Sequence, residues 1–299
     1  MLNRRHIRTL VVQSIYSNSF ELIDNDKLKN YINESSSSTL DLFYNLVDYL
    51  KEINLFFNNI ESKKFSYPFV TENPYFFFFT KLNATSFKRK QIINWNLNQN
   101  YIIEIRDQII ELNNEFITSN KDHNKLRLEF FIKCYSEIIL NSNLFYEFIE
   151  DQNINWVNDF PYVNTYIIKN IQKIDLQNPK SFPLPSLFDF QEEIKFGREL
   201  FDKIIENYDD LKFIIEGRTP NWDSDRITQI DYVILVTSIA ELIYFSSIPT
   251  KVTINEYIDI AKEFSTPASG KFVNGVLDNI LKDLTKQGLI VKTGRGLIT

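Results

Sequence analysis

SIPTKVTINEYIDIAKEFSTPASGKFVNGVLDNIL, residues 247–281, reads as two amphipathic helices and the turn between them. Pro249 can open the first, because a first-turn amide has no intrahelical partner to lose. Ile254, Ile258 and Ala261 then recur at helical spacing, with Phe264 one turn further on. The run STPASG stops that helix: Ser265 or Thr266 is placed to cap, and Pro267 stands where a new first turn begins. Phe272, Val273, Val276, Leu277 and Ile280 make the second apolar stripe. Gly275 falls inside it at a cost of about 1 kcal/mol against Ala, which predicts close approach of another helix there.

The same pattern extends over the rest of the 299 residues, where apolar side chains recur at three and four. With 43% hydrophobic and 15% aromatic residues, the chain can fill one large core or two ordinary ones. Only 7 Gly and 9 Pro punctuate it, too few for an all-β protein of many tight turns, so an all-α fold is expected. No segment approaches the roughly 18 uninterrupted apolar residues of a membrane span; the most apolar run, Phe76 to Phe79, is far shorter. No apolar stretch of signal-peptide type follows the first arginines. The single cysteine, Cys134, excludes an internal disulfide framework and fits a reducing cytoplasm. The net charge of −6 argues against non-specific coating of nucleic acid. Positive charge nevertheless gathers at the two ends: Arg4, Arg5 and Arg8 with no acid in residues 1–20, and Lys282, Lys286, Lys292 and Arg295 against Asp283 alone in residues 282–299.

Asn3 can cap a helix over Arg4 to Ser19, with Ile7, Leu10, Val11, Ser14 and Ile15 on one face. Arg5, Arg8, Val12 and Tyr16 fall on the other, which suits a helix that docks on a core and shows arginines to an anion. A tyrosine beside them can stack an unpaired base; an ordinary solvated face is the plainer alternative. A short helix is predicted over Asp24 to Glu34, then a loop at Ser35 to Ser38 ending in a capping box, Ser38-x-x-Asp41. A longer helix follows to about Asn58, a loop from Lys63 to Pro74, helices near 97–113, 121–140 and 155–174, and a linker from Lys180 to Pro185. Beyond it, helices are predicted over Phe190 to Ile205, Asp209 to Glu216 and Arg226 to Phe245. Displacing the chain by 66 residues brings Trp156 onto Trp222, with Ile138 on Ile204, Asn141 on Asn207 and Tyr166 on Tyr232. The segment 130–168 is therefore a candidate degenerate copy of 196–234.

Catalytic patterns are missing from the sequence. His6 and His123 have no Cys or second His at ligand spacing, so no zinc site is expected. There is no GxGxxG, Walker A or GxSxG motif, and Gly294-Arg295-Gly296 lacks the strand-to-helix context of a phosphate loop. Carboxylates are scattered along helices, so a binder without metal or cofactor is expected rather than an enzyme.

The wording at two separated places is more specific. PTKVTINEYIDIAKEFS (249–265) with SGKFVNGVLD (269–278), and the N-terminal arginines followed by Val12-Gln13-Ser14-Ile15-Tyr16, resemble the transcription antitermination factor family NusB. The resemblance to the usual short form covers 1–20 and 186–299, and residues 21–185 resemble the long form's insertion after the first helix. It implies a double helical bundle with an added helical lobe. It implies transcription regulation by binding the boxA element of nascent ribosomal RNA transcripts with ribosomal protein NusE, in the RNA polymerase antitermination complex. Residue by residue, it assigns RNA contact to Arg4, Arg5, Arg8 and Tyr16 on the first helix and to Lys271 and Phe272 at the head of the last. Asp231, in Gln229-Ile230-Asp231, matches an acidic position near the RNA and NusE surface. Phe272 is equally placed to be core. Ala268 and Gly270 stand where the family often has polar residues, thinning the second patch, and the basic segment Lys292 to Arg295 is expected to supplement it. A helical protein–protein adaptor without RNA binding remains the alternative. The NusB-like domain of ribosomal RNA cytosine methyltransferases would need a nucleotide-binding domain and a catalytic Pro-Cys pair, and Cys134 follows Lys133.

Overall fold

The computed structural model describes residues 3–19, 25–61, 65–81, 89–118, 123–178, 181–216 and 228–297. Among them every regular element is helical. The chain forms two compact units, one of Ser36–Asp189 and one of Leu2–Ser35 with Phe190–Thr299.

The second unit contains α1 (Arg4–Asn18), the first turns of α2 (Asn25–Ile60), α9 (Gln191–Glu206), α10 (Tyr208–Glu216), α11 (Gln229–Tyr244), α12 (Thr250–Phe264) and α13 (Ser269–Lys286). The apolar helix α11 lies at its centre, touching α1, α9, α10, α12 and α13. Val233, Ile234, Leu235, Val236 and Ile239 bury it all round, as expected of a helix apolar on every face. The α12 and α13 stripes seat against it through Ile254, Tyr257, Ile260 and Ala261, and through Val273, Val276, Leu277 and Ile280. Ile258 and Phe264 are only half-buried, so the α12 stripe is turned slightly from the predicted one.

The glycine that admits a neighbouring helix is Gly197 on α9. A Cβ there would lie 2.4 Å from Ile7 Cγ2 and 3.7 Å from Val11 Cγ2 of α1. Gly275, for which close approach was expected, is exposed, and a Cβ would meet nothing within 4 Å. Gly275→Ala is therefore expected to stabilise the fold by about 1 kcal/mol, raising the melting temperature by about 2–4 °C. A fall in melting temperature by calorimetry would contradict this placement.

The first unit continues α2 and adds α3 (Pro68–Thr71), α4 (Pro74–Lys81), α5 (Asn100–Ile117), α6 (His123–Lys133) running into a wider π turn over Cys134–Ile139, α7 (Asn143–Gln152) and α8 (Asn155–Ile171). Its core is aromatic: Tyr49 stacks on Phe145 at 4.5 Å and packs on Trp95 at 4.6 Å, and Phe79 stacks on Phe131 at 5.8 Å. Cys134 is buried.

The predicted break at Ser35 to Ser38 is absent. α2 runs through it, because Leu28, Ile32, Phe43, Leu46 and Leu50 keep one helical phase across the serines. Ser38 caps nothing; its carbonyl and hydroxyl each accept the Trp156 indole N–H at 2.9 Å. Asp41 instead accepts the backbone N–H groups of Lys90 and Gln91 at 3.2 Å. Residues 68–71, expected as loop, form α3. Within the 66-residue displacement, α6 with its π turn falls on α9 and α7 on α10, but α8 starts at Asn155 whereas α11 starts at Gln229, the counterpart of Val163. The correspondence thus spans two helices and parts at the third; Trp222 lies outside the described residues.

Candidate functional site

The two helices that open and close the second unit both carry cations at their positive ends. α1 begins with Arg4 and Arg5, and α13 has Lys271 in its first turn; neither first turn holds an acid. A cation at a helix N-terminus is disfavoured by about 0.3–1 kcal/mol in isolation, and the same placement draws anions.

Arg5 is half-exposed. Its Nη1 donates to Asp259 Oδ2 of α12 at 3.2 Å, and Nη2 lies 3.8 Å from Glu263. The other oxygen of Asp259 accepts from Lys262 Nζ at 3.0 Å. The hydrogen bond from Lys262 holds the Asp259 carboxyl below the usual carboxylate range against the opposing effect of burial, and the charges of Lys262 and Arg5 add to it. The stem of Lys262 lies against Gly270: a Cβ at Gly270 would be 2.9 Å from Lys262 Cγ and 3.7 Å from the Ile258 carbonyl. One strip therefore runs Arg5, Asp259, Lys262, Gly270, bringing the start of α1 to the head of α13. Lys271 follows, exposed.

Beside that strip Thr228, Asp231, Thr266, Ala268, Ser269, Lys271 and Phe272 line a cleft of about 430 Å³. Asp231 is not in a turn but in the first turn of α11, where Thr228 caps the helix by accepting the Asp231 N–H at 3.2 Å. Ser269 Oγ donates to Asp231 Oδ2 at 2.8 Å and sits 2.8 Å from Thr266 Oγ1 and 2.9 Å from Ser265 Oγ. Asp231 Oδ1 is buried without a hydrogen-bond partner among the described residues. Such an oxygen asks for an N–H donor. Phe272 is half-buried against the core, so it is neither wholly core nor wholly presented. The cleft thus combines a cation, part of an aromatic ring and a carboxylate oxygen, the groups that meet a phosphate, a base face and a base amino group.

Arg8 departs from the expected basic face. It is 3% exposed, with Nε and Nη2 donating to the two carboxylate oxygens of Glu241 at 2.7 and 2.8 Å. Thr253 and Tyr257 of α12 donate to the same carboxylate at 2.8 and 3.1 Å, and Glu256 lies 3.6 Å from Nη1. Burial alone would lower the Arg8 pKa; the bond and charge of Glu241 more than reverse that, and it stands above the usual arginine value. Val12, placed on the same outer face, is buried too, because both α9 and α11 pack against α1. Glu241 is a functional residue that the sequence reading does not single out, though its signal is present: an acid inside the apolar run ILVTSIAELIY requires a buried cationic partner.

Arg4 is exposed, its guanidinium carbon 5.2 Å from the centre of the Phe196 ring. It lines a different cleft, of about 540 Å³, with Arg8, Glu192, Ser247, Ile248, Pro249, Val252 and Arg295. Tyr16 lies three turns along α1 from Arg5, about 16 Å at 1.5 Å per residue, half-buried on the core. The basic segment does not supplement the Lys271 patch as expected: Lys292 Nζ donates to the Phe245 carbonyl at 3.0 Å, its pKa lowered by burial, and Arg295 faces the Arg4 cleft. His6 is buried. No group of three or more His, Cys, Asp or Glu among the described residues is arranged to hold a metal ion, and no described helix is long and apolar enough to cross a membrane.

Comparison with known proteins bears on the part that holds this site. A family model described as the NusB family matches residues 181–282. The chain is 47% identical over 103 residues to the transcription antitermination protein NusB of Salinibacter ruber, covering 34% of this chain and 64% of that protein. It is 39% identical over 100 residues to the protein of that name from Chloroherpeton thalassium, covering 33% and 47%, and 42% identical over 90 residues to that of Finegoldia magna, covering 30% and 66%. The match thus spans about half to two thirds of these relatives' own length. A solved structure of T. maritima NusB matches at 30% identity over 40% of this chain and 82% of that one, with a TM-score of 0.31. Over residues 181–282, then, the chain is similar to the NusB family, and α12 and α13 carry the motifs on which that likeness rests.

Proposed function

We propose that this chain is an RNA-binding transcription antitermination factor. It takes the boxA element of nascent ribosomal RNA transcripts together with ribosomal protein NusE, and joins the RNA polymerase antitermination complex. Residues 1–20 and 186–299 form the RNA-binding core, and 21–185 is an inserted lobe. The relatives' shared name supports the role. The observation that carries the site is the strip in which Arg5 and Lys262 meet on Asp259 against the head of α13.

The energetics suit a binding surface. Exposed ion pairs such as Arg5–Asp259 contribute about 0–1 kcal/mol, so a phosphate displaces the carboxylate at little cost. Arg5, Lys262 and Lys271 then hold the backbone. Phe272 stacks one base, and Asp231 Oδ1 accepts an amino group from a base. Arg8 acts differently: locked to Glu241, it fixes α1 against α11 and α12 and so sets where Arg5 stands. The net charge of −6 keeps non-specific binding weak.

Fluorescence anisotropy with a boxA RNA and a scrambled RNA of equal length, with and without NusE, tests the reading. The boxA strand is expected to bind more tightly, and NusE to strengthen it further. A stable complex with NusE but no preference for boxA would replace this reading with the protein–protein adaptor.

A further inference from the structure

Arg4 and Arg295 come from opposite ends of the sequence, face the same cleft of about 540 Å³, and are both exposed. Neither makes an ion pair with a described residue. Arg8, deeper in the cleft wall, is already neutralised by Glu241, so two free cations stand against the single acid Glu192. Two like charges are not brought together for stability; their repulsion is relieved by an anion between them.

The segment carrying Arg295 is fixed in place. Thr293 N–H donates to the Ser246 carbonyl at 3.0 Å, Thr293 Oγ1 lies 3.1 Å from Ser246 Oγ, and Lys292 holds Phe245 O. Gly294 adopts φ +54, a conformation that favours glycine. At Gly296 a Cβ would stand 2.0 Å from the Ser246 carbonyl oxygen, so only glycine lets the segment lie down there. Ser247 to Pro249, at the start of α12, also line the cleft, and Pro249 provides no side-chain cap.

We propose that this cleft is a second phosphate-binding subsite, built by the 289–297 segment with Arg4, that holds the backbone of single-stranded RNA outside the boxA element. It is distinct from the Asp231–Lys271–Phe272 cleft, shares no lining residue with it, and rests on the RNA-binding reading above. Guanidinium forks suit phosphate oxygens, and the apolar Ile248 and Val252 give no base-specific donors, so contact there is with the backbone rather than with sequence.

The test compares the salt dependence of binding of a boxA RNA with that of the same RNA extended by ten uridines on both sides. Extension is expected to steepen the wild-type slope of log K against log salt by about 1.4, two contacts at about 0.7 each for a single strand. Arg295→Ala should remove about half of that and weaken binding of the extended RNA about fivefold at roughly 0.1 M salt, the factor that a slope of 0.7 gives relative to 1 M. Gly296→Ala, which keeps every charge but lifts the segment, should do the same, and Arg295→Lys should restore the slope. Lys271→Ala should lower both affinities while keeping the gain from extension. The proposal is overturned if extension brings no gain in the wild-type chain, or if Arg295→Ala and Gly296→Ala bind the extended RNA as wild type does. Should the wild-type chain not bind boxA at all, the functional reading fails on its own, and a plain oligouridylate decides the cleft by whether Arg295→Ala weakens it.

Discussion

Glu241→Gln is expected to destabilise the chain by about 3–5 kcal/mol, the cost of breaking a buried ion pair by removing one partner; Arg8 would keep only Glu256, at 3.6 Å. The carboxylate accepts two bonds from Arg8, one from Thr253 and one from Tyr257, with no solvent to replace any of them. Gln keeps the shape but turns an acceptor into a donor facing those donors, and Arg8, whose pKa stands above the usual value, cannot shed its proton in response. Arg8→Ala should cost a similar amount by orphaning Glu241. Replacing both, Arg8→Met with Glu241→Leu, should recover much of the loss, because apolar residues of similar volume often match a buried pair. The hydroxyls of Thr253 and Tyr257 would then lack their acceptor, at about 1–3 kcal/mol for a buried group left unmade. Urea unfolding of the full chain measures all three variants. If both single changes stay within about 1 kcal/mol of wild type, the network does not hold α1 to α11 and α12.

Phe272→Leu separates two roles that one ring can play. Leucine preserves most of the apolar contact with the core, so stability should change by less than about 1.5 kcal/mol. It removes the aromatic face, and a stacked base is worth about 1–3 kcal/mol, so affinity for boxA RNA should fall about five- to 150-fold at 1.4 kcal/mol per decade. Unchanged affinity with lowered stability would make Phe272 a core residue and move the stacking surface elsewhere.

The last two helices could be read from residues 247–281 alone because their periodicity, the proline and the capping hydroxyls all agree there. The start of α11 was read three residues early, at Arg226, although Thr228 before an apolar run is an ordinary cap. The serine run at 35–38 misled because composition was weighed above phase; small side chains inside α2 make room for Trp156. At the site, Arg4, Arg5 and Arg8 look alike in sequence, yet one faces a cleft, one a carboxylate pair on α12, and one the interior. What separates them is pairing across the fold, Arg8 with Glu241 and Arg5 with Asp259, and a single sequence shows no contact between residues so far apart. Lys262 was passed over as an ordinary member of α12. Its importance comes from Gly270, whose missing side chain lets the lysine stem lie at the head of α13.

The central claim is that the start of α1 and the head of α13 form one cationic RNA surface, and salt-dependent binding of boxA RNA tests it most directly. Arg5→Ala and Lys271→Ala should each flatten the slope of log K against log salt by about 0.7, and together by about 1.4, while urea midpoints stay near wild type. A double variant that keeps both the wild-type affinity and the wild-type slope would show that RNA, if bound at all, is gripped by some other face of the molecule.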